Sequence, residues 1–154
     1  MKPAAAPKPF WQRVGHFLGR PGGEQWLFVQ AYLLLGVARL RINTVKFERL
    51  VRSLGVSGLE TPADESPERL QEARRVAWAV RTASRYTPWQ SNCFPQAIAA
   101  RTLLRRKGIP STLYLGAAFK ARTELEAHAW LRCGPVYVTG GAGQLHFGTV
   151  GIFG

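Results

Sequence analysis

The order of the hydrophobic patterns along the chain limits its fold more than any other feature. Up to residue 107 the apolar residues recur at helical spacing, whereas residues 111–139 alternate between apolar and polar in steps of two. The pattern predicts helices over about 24–40, 44–54, 66–86 and 93–107, and strands over 111–119, 126–133, 136–139 and part of 144–153. Helices followed by short strands with tight turns predict an α+β fold with an antiparallel sheet.

Helix start and stop signals support these boundaries. Ser66 can cap a helix whose first turn contains Pro67, a position where the missing N–H costs nothing. Gly108 stops the helix that begins near Cys93, and Gly134 with Pro135 makes a tight turn between two strands. The helices and the strand meander therefore follow from local chemistry as well as from periodicity.

Chain-breaking residues divide the sequence into three predicted parts. Residues 1–20 are rich in Pro, Ala and Lys and are expected to be disordered or briefly helical, with a short amphipathic piece at 10–18. Residues 21–60 form a helical segment, and a loop rich in Gly, Pro and acidic residues at 58–67 separates it from a core at 61–154.

The bulk properties limit the compartment and the partners. The net charge of +12 is even, because 1–60 carries nine basic and three acidic residues and 61–154 twelve and six, which is +6 each. A uniformly basic surface favours an acidic partner. The apolar run at 26–38 is too short for a bilayer, which needs roughly 20 residues, so it predicts a buried helix. Two cysteines and no visible signal peptide predict a cytoplasmic protein without a transmembrane segment.

Cys93 and His128 are the residues on which the function depends. Cysteine attacks as a thiolate, and both a helix N-terminus and a nearby imidazole favour that form. Cys93 stands at a predicted helix start, and His128 lies on a predicted strand 35 residues later. Taken alone, each is more often a structural residue than a catalytic one. Two thiols and three scattered histidines make no metal-ligand set, and neither a metal nor another cofactor is expected.

Strand alternation separates the second cysteine from this pair. His128, Trp130 and Arg132 share one face of their strand, whereas Ala129, Leu131 and Cys133 share the other. Cys133 is therefore expected to be a buried core residue that cannot share a site with His128.

Three stretches carry a resemblance to a known family. They are Ser91-Asn92-Cys93-Phe94-Pro95-Gln96-Ala97, the run from Leu103 through Gly108-Ile109-Pro110 to Gly116, and Ala127-His128-Ala129-Trp130-Leu131. The chain resembles the transglutaminase-like cysteine proteases of lasso-peptide biosynthesis, the B2 proteins, over about 66–143. The resemblance implies a papain/transglutaminase-like core in which Cys93 is the nucleophile and His128 the general base.

The resemblance also implies the biological role and the partners. Such enzymes remove the leader from a ribosomally made precursor peptide. The end product of the pathway is a lasso peptide of the antibiotic type. A small leader-recognition protein of the B1 type delivers the precursor, and a macrolactam synthetase then closes the ring. The function expected for this chain is therefore that of a cytoplasmic leader peptidase.

The chain departs from the family at the third catalytic position. An aspartate often follows on the next strand and orients the histidine, but this chain has no acidic residue after Glu126. Thr139, a backbone carbonyl or water could take that role. Gln90 is a candidate oxyanion donor beside the Cys93 N–H, and Trp130 and Trp89 are candidate substrate contacts. His146 is expected to be structural.

Two other functions remain open. The missing carboxylate is compatible with a weakly catalytic or non-catalytic adaptor that holds precursor and partner. The cluster Arg101, Arg105, Arg106 and Lys107 is compatible with nucleic-acid binding, although these residues also suit a helix C-terminus, and nucleic acid is not the expected partner. Docking of an acidic leader or partner is the preferred interpretation of the cluster.

Overall fold

The computed structural model describes residue 15 and residues 17–120, 124–142 and 144–154. Within these residues it has four complete helices and four strands, in the order that the sequence predicts, and a short 3-10 helix that was not predicted. Residues 15, 17 and 18 are also helical. The helices are α1 (Gly22–Thr44), α2 (Phe47–Arg52), α3 (Pro67–Ala83) and α4 (Cys93–Arg106). The strands are β1 (Thr112–Lys120), β2 (Glu124–Cys133), β3 (Val136–Thr139) and β4 (Gly148–Phe153), and the 3-10 helix is Gln144–His146. The predicted α+β class is confirmed.

The strands form one antiparallel sheet in the order β3-β2-β1-β4. β1 and β2 make a regular hairpin in which Gly116 lies opposite His128. β3 continues the meander on the outer side of β2, whereas β4 crosses to the other edge and pairs with β1. The segment after α2 extends this edge, since the Gly58 N–H donates to the Ile152 carbonyl oxygen at 2.9 Å.

The helices cover one face of the sheet and share its hydrophobic core. α1 packs on α3 and α4, and α4 packs on β2 and β3. The fully buried side chains at these contacts include Leu35 of α1, Val76 of α3, Leu103 of α4 and Leu131 of β2. The helical segment at 21–60 and the core at 61–154 are thus joined by a continuous cluster of buried residues. The predicted amphipathic piece at 10–18 lies largely outside the described residues.

Local chemistry explains where the helices start. The Ser66 hydroxyl accepts from the Arg69 N–H at 3.4 Å, and Pro67 is the first residue of α3, as predicted. α1 is longer than the predicted 24–40. Its buried stripe consists of Leu27, Ala31, Leu35 and Ala38, and the helix continues beyond this stripe to Thr44. Gly108, with φ of +66°, follows α4 and turns the chain towards β1.

The long helix α1 is apolar on two sides. One side is the buried stripe, but Trp26, Leu33, Val37 and Leu40 on the other side are 62, 60, 52 and 62% exposed. The prediction of a buried helix at 26–38 is therefore correct for one face only. Over the described part of the chain, no helix combines the length and the apolar character that crossing a bilayer requires.

Candidate active site

Cys93 is the first residue of α4 and is half-buried. Its side chain packs against the hydrophobic core, next to Phe94. Pro95 is buried in the first turn, where its missing N–H has no partner to lose. The predicted position of the thiol at a helix start is therefore present in the structure.

The amide groups beside the thiol are free to bind an anion. Asn92 occupies the cap position but makes no side-chain cap hydrogen bond. Among the described residues, neither the Cys93 nor the Phe94 N–H donates to an intramolecular acceptor. Unpaired N–H groups at a helix start carry a partial positive charge, so they favour a thiolate or an oxyanion at this position.

Hydrogen bonds fix the loop that precedes α4. The Thr87 and Ser91 hydroxyl oxygens lie 2.8 Å apart, and Thr87 Oγ1 is also within hydrogen-bond distance of the Trp89 carbonyl oxygen, at 3.1 Å. The Gln96 side-chain amide donates to the Ser91 carbonyl oxygen at 2.7 Å. These contacts join the loop to the first turn of the helix, which holds the Cys93 backbone in place.

His128 lies on the face of β2 that does not contact the helices. Ala129, Leu131 and Cys133 belong to the hydrophobic core on the helix-covered face, and the intervening His128 and Trp130 point the opposite way. The predicted alternation is thus confirmed, as is the burial of Cys133, which has no exposed surface. Burial, with a smaller contribution from Glu65, raises the pKa of the Cys133 thiol, which keeps it protonated and unreactive.

A backbone carbonyl orients the imidazole of His128. His128 Nε2 lies 2.8 Å from the Gly140 carbonyl oxygen, just after β3. A carbonyl oxygen only accepts, so Nε2 carries the hydrogen of the neutral ring and the Nδ1 lone pair is left free. Of the three groups proposed from sequence for this role, a backbone carbonyl contacts the ring. Thr139 is buried, and its hydroxyl has no hydrogen-bond partner within the described part of the chain.

Gly140 has the backbone conformation that this contact requires. Its φ of +71° lies in the left-handed region that favours glycine. A Cβ at this position would collide with the Ala129 carbonyl oxygen and come within 2.9 Å of the Trp130 Cα. The close approach of the Gly140 backbone to β2 therefore depends on the absence of a side chain.

Four aromatic rings stand in a row on the His128 face. Tyr114 and Trp130 stack with their centroids 5.5 Å apart, Trp130 and His128 follow at 5.9 Å, and His128 and Phe147 at 4.9 Å. Gly116 makes room for this row, because a Cβ there would lie 2.6 Å from the Trp130 ring and 2.9 Å from the Phe147 Cβ. The row and the Gly140 carbonyl together define the orientation of the imidazole.

Arg132 anchors the far end of the row. Its Nε donates to the Tyr114 hydroxyl at 3.0 Å, and its other nitrogens donate to the Gly134 and Thr61 carbonyl oxygens at 2.8 and 2.9 Å. The Tyr114 hydroxyl donates to Glu60, which with the nearby Arg132 lowers the pKa of the Glu60 carboxyl. Burial and the Glu60 contact raise the pKa of Tyr114. This network ties the loop before α3 to β2.

The structure does not bring Cys93 and His128 into hydrogen-bond contact. Both residues are described, and among the described residues the His128 ring has one hydrogen-bond partner, Gly140. α4 lies on the core face of β2, whereas the imidazole lies on the other face. The thiol and the base are thus each positioned, by different elements, without being joined.

The remaining candidates have mainly structural surroundings. Gln90 is exposed, and its side-chain oxygen accepts from Arg39 at 3.2 Å. Trp89 packs edge-on against Tyr32 at 5.3 Å, and its ring lies against Gly36 of α1. Trp130 is only 5% exposed, which leaves little surface for a substrate. His146 lies exposed in the 3-10 helix.

Sequence reasoning missed three residues of this site. Gly140, Gly116 and Phe147 contact the imidazole or shape its surroundings, and none was singled out. A glycine directly after a predicted strand was the one available signal for a left-handed backbone position. Over the described part of the chain, no group of three or more His, Cys, Asp or Glu side chains could hold a metal ion.

A helix-start cysteine and a strand histidine in an α+β domain invite comparison with known protein families. The model of the transglutaminase-like superfamily matches residues 34–150, which is more than half of the chain. The chain belongs to the transglutaminase-like superfamily. The match begins within α1 and ends within β4, so it includes both Cys93 and His128. No curated protein and no solved structure shows significant similarity to the chain.

Membership in this superfamily is consistent with a cysteine peptidase-type fold. The start of α4 and the His128 face of β2 are the two parts of the candidate active site.

The cluster of basic residues near the end of α4 is not one surface. Lys107 pairs with Glu72 at 2.9 Å, Arg101 turns inward, and Arg105 and Arg106 are exposed.

Proposed function

We propose that this chain is a cysteine peptidase that removes the leader from a lasso-peptide precursor. Cys93 is the nucleophile and His128 the general base. The observation that carries the proposal is the half-buried Cys93 thiol at the first residue of α4, beside two unpaired amides, in a transglutaminase-like chain. The resemblance of the Cys93 and His128 sequence motifs to the leader peptidases supplies the substrate class.

The chemistry is acyl transfer followed by hydrolysis. His128 Nδ1 takes the thiol proton, and the thiolate attacks the carbonyl carbon at the leader–core junction. The Cys93 amide stabilises the oxyanion, the C–N bond breaks, and the imidazolium gives its proton to the leaving amine. Water then attacks the thioester, gives its proton to Nδ1, and releases the leader acid and the thiol.

This mechanism requires Cys93 and His128 to meet. They are not hydrogen-bonded in the free protein, so we propose that binding of the precursor with its partner closes the pair. The partners are the precursor peptide, a small leader-recognition protein of the B1 type and a macrolactam synthetase. The even positive charge suits an acidic leader or partner. The proposed compartment is the cytoplasm.

The test is cleavage of the cognate precursor with the leader-recognition protein present. Wild type is expected to cleave, whereas Cys93→Ala and His128→Ala are expected to lose activity by at least about a thousandfold, since each removes a group that acts directly in bond breaking. Cys133→Ala is the matched control, because it removes the other thiol without touching the site. Equal cleavage by wild type and Cys93→Ala would contradict the assignment.

A second function is a non-catalytic adaptor of the same fold that holds precursor and partners. The observation that favours it is the separation of Cys93 from His128, together with the lack of an acidic residue beyond Glu126. For an adaptor, wild type binds the precursor without cleaving it. Cys93→Ala then leaves both precursor binding and the rate of ring closure by the synthetase unchanged.

A further inference from the structure

A small cavity lies between the helical segment and the second half of α4. Its volume is about 160 Å³, and it is lined by Arg41, Ser53, Arg101, Thr102 and Arg105, with apolar residues below. Arg41 is near the end of α1, Ser53 follows α2, and the other three belong to α4. Three arginines from two helices thus line one cavity, away from the start of α4.

No acidic side chain pairs with these three arginines. All nine acidic residues of the chain lie in the described part, and the ion pairs formed there involve Glu24, Glu60, Glu65 and Glu72. None of those pairs includes Arg41, Arg101 or Arg105. Burial, and to a smaller degree the repulsion from Arg105, lowers the pKa of Arg101. The cavity therefore concentrates positive charge without a paired acidic side chain.

Neutral oxygen atoms hold two of the arginines in place. Arg101 Nη1 donates to the Ser111 and Phe153 carbonyl oxygens at 3.0 and 2.6 Å, and Arg41 Nη2 donates to the Ser53 hydroxyl at 3.0 Å. Gly55, with φ of +141°, leaves the space that the Arg101 guanidinium occupies. The Arg105 side chain donates to no group in the described part of the chain.

A simpler explanation covers only part of this arrangement. Basic residues in the last turn of a helix suit its negative end, which accounts for Arg41 in α1 and Arg105 in α4. Arg101 is in the middle of α4 and is partly buried, so the helix dipole does not explain it. Nor does the dipole explain why all three line one cavity.

We propose that this cavity is an oxyanion-binding site that takes a carboxylate or a phosphoryl group from a ligand. Arginine donates two parallel N–H bonds to either group, and charge-assisted bonds of this kind are roughly twice as strong as neutral ones. A bound anion links α1, the end of α2 and α4, which places a ligand contact on the helix that begins at Cys93. The site is independent of any chemistry at Cys93.

The test is ligand binding to the whole protein at constant ionic strength, measured by calorimetry and thermal unfolding. Inorganic phosphate and N-acetyl-glutamate are the two probes, and they distinguish a phosphoryl from a carboxylate ligand. At least one probe is expected to bind saturably and to raise the Tm, since a ligand specific for the folded state stabilises it. Arg105→Gln is expected to weaken binding by about tenfold, because one charge-assisted donor pair is lost.

Arg106→Gln is the matched control, because Arg106 is exposed on the same helix and does not line the cavity. It removes the same charge and is expected to leave the affinity within about twofold, since exposed charges are screened by salt. Arg41→Gln repeats the test from another helix. The proposal is overturned if neither probe binds saturably, or if Arg105→Gln and Arg106→Gln weaken binding equally.

Discussion

His128 donates through Nε2 to the carbonyl oxygen of Gly140, and this bond of 2.8 Å fixes the ring by means of the main chain. In the leader peptidases that the chain resembles, an acidic side chain is expected in this role, which the Gly140 carbonyl takes here. It accepts the same hydrogen bond but contributes no full negative charge. A Cys–His pair tolerates this difference, because a thiol is intrinsically more acidic than a hydroxyl.

The bond to Gly140 predicts which tautomer of His128 is populated. At a pH where the ring is neutral, the hydrogen is expected on Nε2, with Nδ1 unprotonated. Long-range ¹H–¹⁵N correlation spectra distinguish the two tautomers, and a His128→Gln variant assigns the signals among the three histidines. A hydrogen on Nδ1 would mean that the Gly140 contact does not hold in solution.

Gly140→Ala is expected to disrupt the site by forcing the backbone away from β2. The added Cβ meets the Ala129 carbonyl oxygen and Trp130 at a positive φ, so the variant is expected to lose about 1–3 kcal/mol in the free energy of unfolding. Gly58→Ala is the control, since Gly58 also has a positive φ, +77°, but has open space around it. Urea unfolding measures both, and a loss no larger than that of the control would contradict the steric argument.

Gly116→Ala is expected to disturb the row of aromatic rings. A Cβ at Gly116 overlaps Trp130 and Phe147, which flank the imidazole, and overpacking of this kind costs about 1–3 kcal/mol. Gly148→Ala in β4 is the matched strand control, because its Cβ would meet only the Ala117 carbonyl oxygen at 3.6 Å. Urea unfolding gives the loss in stability, and tryptophan fluorescence and the chemical shifts of His128 report the local change. Equal effects of the two substitutions would count against the close packing of Gly116.

The two cysteines are expected to differ in their reaction with iodoacetamide. Cys93 is half-buried at a helix start, whereas Cys133 has no exposed surface and a pKa raised by burial. In the native protein, mass spectrometry is expected to find the label on Cys93, with Cys133 modified only after denaturation. A Cys93→Ser variant that still takes up label rapidly under native conditions would refute this order.

Glu72 is expected to contribute stability that disappears in acid. Hydrogen bonds from Lys107 and Arg75 lower its pKa below the ordinary value of 4.5, although partial burial opposes them. The stability that Glu72 contributes is complete at pH values above its ordinary pKa of 4.5, and it is lost as the pH falls through the lowered pKa. Because Glu72, Lys107 and Arg75 are near the surface, this contribution to stability is expected to be below about 1 kcal/mol.

Urea unfolding of wild type and Glu72→Gln at pH 6 and pH 3 measures this contribution. The difference between them is expected at pH 6 and should shrink at pH 3. Glu68→Gln is the control on the same helix, since Glu68 forms no ion pair with any described residue. A difference that is the same at both pH values would show that protonation of Glu72 is not involved.

The sequence predicted the features that depend on local chemistry. The Ser66 cap, the start of α4 at Cys93 and the two faces of β2 follow from capping preferences and from strand alternation. The burial of Cys133 followed from the same alternation. These properties are set by residues near one another in the chain.

The features that depend on distant contacts were not predicted. β4 lies beside β1 and not beside β3, a choice made by packing across the sheet in a glycine-rich segment with little alternation. A backbone carbonyl was one of the three groups proposed for orienting His128, but the sequence could not show that it belongs to Gly140, because every residue has a carbonyl group. The exposed apolar side of α1 was also missed, since periodicity alone cannot show which of two apolar faces is covered.

The main-chain contact of Gly140 also affects how this site can be lost. A carboxylate in a triad is removed by a single base change, whereas a carbonyl survives any replacement that keeps the path of the chain. At residue 140 a side chain would push the backbone away from β2, so the contact depends both on this glycine and on its position directly after β3. Replacement of Gly140, and insertions or deletions in the turn between β2 and β3, are the mutations to which the orientation of His128 is most vulnerable.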